Sequence, residues 1–94
     1  MDEKVKTIEE EFAESIVEKR KLVTKIRLQM AADAKHNIIS TLTVQLNSMA
    51  LDNLDAAALN LTQGEYEQAV HFFSRACNNM SEFKGRADKE RGRV

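Results

Sequence analysis

The sequence predicts an all-α fold: a three-helix antiparallel bundle, or a helical hairpin with a long N-terminal helix, that self-associates or binds a partner. Three observations lead there. Apolar residues recur every third or fourth position, the spacing that keeps one face of a helix apolar. Proline is absent and only three residues are glycine, so few points can interrupt a helix. Strict alternation of apolar and polar residues, the mark of a half-buried strand, is missing.

The first helix is predicted over about residues 3–34. Its stripe is Val5, Ile8, Phe12, Ile16, Val23, Ile26 and Met30, with Lys19 between Ile16 and Val23, and Leu22 and Leu28 widen it. Charge along it is blocked. Asp2, Glu3, Glu9, Glu10, Glu11, Glu14 and Glu18 load the first half; Lys19, Arg20, Lys21, Lys25 and Arg27 load the second. Acid early and base late suits the helix dipole, and it also makes the helix complementary to an antiparallel copy of itself.

The second helix is predicted over about residues 37–62, on Ile38, Leu42, Leu46, Met49, Leu54, Ala57, Ala58 and Leu61. Large apolar residues disappear between Asp33 and Asn37, so a break is placed there with Asn37 as candidate N-cap. The alternative is one continuous helix over about 3–62, spanning roughly 90 Å and stable only in a coiled coil or oligomer. The polar cluster Asn47, Ser48, Asp52 and Asn53 is a second candidate interruption.

Gly64 punctuates the chain, because glycine readily takes the left-handed conformation just past a helix end. Thr62 and Glu65 have capping-box spacing for a third helix over about residues 65–83. Its stripe is Tyr66, Ala69, Val70, Phe73, Ala76, Cys77, Met80 and Phe83. The predicted core combines Phe12, Ile16, Ile26, Leu42, Leu46, Tyr66, Ala69, Phe73 and Ala76. Residues 1–83 thus read as one helical domain, and 84–94 as a polar, mildly basic, disordered tail.

Composition narrows the function. With 43% apolar and 31% charged residues the chain reads as globular, and a formal net charge of −1 supplies no global field for nucleic acid or anionic membrane. A chain this short buries only about 60–65% of its unfolded surface, a marginal core that favours association. No window has the roughly 20 apolar residues of a membrane span. Asp2, Glu3, Lys4 and Lys6 do not resemble a secretory signal, and Cys77 is the only cysteine, so a reducing, cytoplasmic setting is expected.

No catalytic, cofactor or metal site is expected. His36, His71 and Cys77 lack metal-ligand spacing, and no glycine-rich phosphate loop or Ser/His/Asp order is present. His36 precedes an apolar helix, as a phosphoacceptor histidine does, but the acidic or proline neighbours usual there are missing, and a histidine at a helix end is more often a cap or dipole partner. Cys77 reads as a small buried hydrophobe; Met30, Met49 and Met80 read as adaptable packing or a plastic binding surface. The expected function is a small adaptor, chaperone-like or regulatory protein acting by helix–helix contact, as a homodimer or with a partner protein. Arg20, Lys21, Lys25 and Arg27 are the candidate partner-binding residues, with Glu10 and Glu14 as the complementary patch. The competing class is a nucleic-acid-associated regulator using the basic block 19–27 and the tail.

Two stretches resemble known families. The run Gly64, Tyr66, Ala69, Phe73, Ala76 resembles the second half of a tetratricopeptide (TPR) repeat, and the likeness extends over residues 50–83. It departs from the family at Asn53, where a large apolar residue is usual, and at Ser81, where proline commonly ends the repeat. The resemblance implies a tight antiparallel hairpin of the second and third helices, and helix or peptide binding. The stretch Ile16 to Ile26 is similar to the first helix of the all-α chorismate mutases. That resemblance implies a cationic site for a dicarboxylate, in which Lys19 would supply one charge. Met30 and Asp2 stand where further cations are wanted.

Overall fold

The computed structural model describes residues 7–92 and contains three α-helices: α1 (Ile8–Lys35), α2 (Thr41–Thr62) and α3 (Tyr66–Glu90). A capping box starts α1. The Glu10 amide donates to Thr7 Oγ1 at 3.1 Å, and the Thr7 amide donates to Glu10 Oε1 at 2.9 Å. Thr7 has extended backbone angles, so the helix begins at Ile8 rather than near residue 3. Val5 and the charged residues before Thr7 lie outside the described residues.

The chain reverses after α1, and the continuous-helix alternative does not hold. Asn37 is not the N-cap of α2. It sits at φ 58°, just past the C-cap His36, and closes a Schellman motif: its amide donates to Ala34 and the Ile38 amide donates to Asp33. Asparagine tolerates the left-handed conformation, which is why it ends a helix here instead of starting one. The N-cap of α2 is Ser40, whose hydroxyl accepts the Thr43 amide at 3.3 Å. The polar cluster at 47–53 does not interrupt α2.

Gly64 repeats the motif at φ 77°, with the Glu65 amide donating to Asn60 and the Gly64 amide to Leu61. The predicted Thr62–Glu65 capping box is absent. Thr62 is the last residue of α2 and donates to the Ala58 carbonyl at 2.9 Å, while Glu65 is an N-cap without a side-chain bond.

The third helix does not stop at residue 83. It runs to Glu90, with Ala87 only 3% exposed in the core and Arg91 as its C-cap. The expected disordered tail is therefore helical through Glu90; residues 93 and 94 lie outside the described residues.

The helices run up, down and up. At one end Tyr66 meets Glu9; at the other Arg91 meets Asp33, so α1 and α3 are parallel and α2 is antiparallel to both. α2 packs most extensively on α3, and the bundle measures 52 × 30 × 20 Å. The core takes Ile16, Val23 and Met30 from α1, Leu46, Ala50, Leu54 and Ala57 from α2, and Ala76, Phe83 and Ala87 from α3. Ala69 is also buried. Small residues on facing helices let α2 and α3 approach closely.

Two predicted core residues are on the surface. Leu42 is 51% exposed and Tyr66 49%. Thr43, one residue on, takes the inward position at the start of α2, because its hydroxyl donates to the Glu90 carboxylate at 2.9 Å. Tyr66 opens α3 and turns its hydroxyl to Glu9 Oε2 at 2.6 Å. Ile16, Leu46, Ala69 and Ala76 are buried as predicted, whereas Phe12, Ile26 and Phe73 are half-buried at the core margin.

Candidate interaction surface

α1 is apolar on more than one side. Ile16, Val23 and Met30 point into the bundle, while Val17 (50% exposed) and Leu28 (73%) lie on the outward side. Residues 17, 21, 24 and 28 follow the three-and-four spacing of a single helical face. There Val17, Arg20, Lys21, Thr24, Lys25 and Leu28 line an open hollow of about 520 Å³. A second hollow of about 400 Å³ adjoins it, lined by Ala13, Glu14, Val17 and Glu18. Val17 is common to both. The outward face of α1 thus carries an acidic hollow and a basic hollow end to end.

The predicted partner-binding residues separate into free and engaged groups. Lys21 and Lys25 are exposed and line the basic hollow. Arg20 lines it too, but its Nε donates to Asp55 Oδ1 on α2 at 2.7 Å. That hydrogen bond, and secondarily the carboxylate's charge, raise the arginine's already high pKa. Arg27 is exposed and off the hollow's wall. Glu14 lines the acidic hollow, and Glu10 takes part in the capping box. Lys19, next to these in sequence, lies on the inner side with its ammonium 5.9 Å from the centre of the Phe73 ring.

A groove of about 580 Å³ lies at the end of the bundle, among Ile8, Glu9, Glu11, Phe12, Leu61, Tyr66 and Val70. Phe12 and Phe73 meet edge to face beside it, with ring centres 5.1 Å apart. Its lip is the first turn of α1. Hydrogen bonding to Glu9, and then that carboxylate's charge, raise the Tyr66 hydroxyl's pKa above the usual phenol value.

Sequence reasoning missed a polar network at the other end of the bundle. The Glu90 carboxylate accepts the Ser40 amide and the hydroxyls of Ser40 and Thr43, each at 2.9 Å. Arg86 donates to Thr43 Oγ1 at 3.3 Å. Beside it, Arg91 donates through Nε and Nη2 to Asp33 Oδ2 at 2.9 and 2.6 Å. The signal available beforehand was the Ser40-to-Thr43 N-cap spacing; nothing local marks Glu90. Asn47 is fully buried, donates to the Val23 carbonyl at 3.2 Å, and leaves Oδ1 without a hydrogen-bond partner.

His36 is an exposed C-cap, His71 lies on the surface beside Phe72, and Cys77 is half-buried. Among the described residues, no group of three or more His, Cys, Asp or Glu is arranged to hold a metal ion, and no helix is long and apolar enough to cross a membrane. Comparison of the chain with known protein families, with characterised proteins and with solved structures returned no match.

Proposed function

We propose that this chain is a small protein-interaction module that works by helix-to-helix contact through the outward face of α1. The observation that carries this reading is the second apolar and charged face on α1, built from Val17, Lys21, Thr24, Lys25 and Leu28, which the bundle's core does not use. Fully burying one such aliphatic side chain gains roughly 1.5–3 kcal/mol, so covering Val17 and Leu28 favours a weak, reversible complex.

Nucleic-acid binding draws less support. Lys19 faces Phe73 and Arg20 is paired with Asp55. In the former tail, Arg86 faces Glu90 and Arg91 is paired with Asp33. The remaining lysines of α1 share their face with Glu14 and Glu18, which offsets the positive field phosphates require.

The test is site-specific photo-crosslinking in cells. A photoreactive side chain at Val17 or Leu28 is expected to yield protein adducts, and one at Asp52, on the exposed side of α2, is expected to yield none. Nucleic-acid adducts, or no adducts at 17 and 28, contradict the proposal.

A further inference from the structure

We infer that the occupant of this face is a second copy of the same chain, docked antiparallel along α1. The inference rests on the interaction reading above and adds the identity of the partner. The acidic hollow at Ala13, Glu14, Val17 and Glu18 and the basic hollow running from Val17 to Leu28 are adjacent, open and opposite in sign. A two-fold axis crossing α1 between them lays the acidic hollow of each copy against the basic hollow of the other. It brings Glu18 of each copy opposite Lys21 of the other, twice by symmetry.

A parallel arrangement is disfavoured, because it sets Glu18 against Glu18 and Lys21 against Lys21. A foreign helix would have to reproduce the same alternation of acid, aliphatic and base, which a second α1 already carries at the required spacing. The formal net charge of −1 leaves little long-range repulsion between copies. With one helix face per copy, the interface falls in the small, transient class. It forms at high protein concentration and weakens with salt.

Sedimentation of the full chain over a concentration series at low salt tests this. A monomer–dimer equilibrium is expected. Glu18→Lys alone and Lys21→Glu alone each turn two attractions into two repulsions, weakening the dimer by about tenfold or more. Mixing the two variants restores opposite charges at both contacts and is expected to recover association to near the wild-type level. Both residues are exposed, and circular dichroism on each variant checks that the fold is kept.

A wild-type chain that stays monomeric at every concentration overturns the inference. So does a dimer indifferent to both substitutions, or a mixture that fails to recover. The crosslinking experiment separates this failure from failure of the broader reading. Adducts of twice the chain mass support both, adducts with a different protein keep the interaction module and remove the second copy, and no protein adduct removes both.

Discussion

Glu90, the last residue of α3, caps the first turn of α2 at Ser40, accepting its backbone amide at 2.9 Å across a separation of 50 residues. The same carboxylate takes the Ser40 and Thr43 hydroxyls, so it braces the Ser40 N-cap from another helix. This contact holds the end of α3 in the bundle and draws Thr43 inward in place of Leu42.

The contact makes stability depend on acid. Burial pushes the Glu90 pKa up, but the Ser40 amide, the Ser40 and Thr43 hydroxyls and nearby Arg86 together outweigh it and hold the carboxyl below its usual range. A depressed folded-state pKa gives stability that is complete above the unfolded value, near 4.3, and is lost as pH falls through the folded value. Urea unfolding from about pH 6 to pH 3 is expected to show this loss in the wild type. In Glu90→Gln this contribution is expected to be absent. Glu90→Ala is expected to cost about 1–2 kcal/mol at neutral pH.

Removing residues 85–94 distinguishes a docked helix end from a free tail. The truncation deletes Ala87 from the core, the Glu90 cap and the Arg91–Asp33 pair, whose side chains are only 13% and 24% exposed. It is expected to lower stability by about 2–4 kcal/mol in chemical denaturation. An unchanged midpoint would mean that the tail is as free as its composition suggests.

Asn47 is half satisfied in the core, with its amide nitrogen bonded to Val23 and its oxygen bare. Replacing it by leucine, of the same branched shape but somewhat larger, removes the unpaired oxygen together with the bond to Val23. Asn47→Leu is expected to be neutral or stabilising by up to about 1 kcal/mol in thermal unfolding. A clear loss of stability would show that the bond to Val23 and the space available to the side chain outweigh the unpaired oxygen.

The two interhelical turns are expected to respond oppositely to substitution. Gly64 lies at φ 77° with open space where a Cβ would stand, so Gly64→Ala costs only the backbone strain, about 1 kcal/mol. Asn37 lies at φ 58°, and Asn37→Gly relieves strain there, gaining about 0.5 kcal/mol or less. Paired denaturation curves check the sign of each change.

The fold was largely legible where large apolar residues repeat. Ile16, Val23 and Met30 recur every seven residues and all lie in the core. Legibility failed where one residue type serves two ends of a helix: Asn37 and Ser40 are both capping residues, and only the backbone shows which one starts α2. It failed again beyond Phe83, because the core contact there is a single alanine, Ala87, too small to register as a stripe among charges. On the candidate surface, the charge blocks of α1 were visible, but the partners of Arg20 and Lys19 were not. Asp55 and Phe73 reach them from α2 and α3, so only folding shows which cations of the block are engaged within the bundle.

Dilution of an isotope-labelled sample, followed by backbone amide NMR, tests most directly whether the outward face of α1 is an interface. Amide signals of Val17, Glu18, Lys21, Thr24, Lys25 and Leu28 are expected to shift together and saturate with concentration, while those of Gln45 and Asp52 on α2 stay fixed. Signals that do not move at all, or that move instead at Ile8, Tyr66 and Val70, would contradict it.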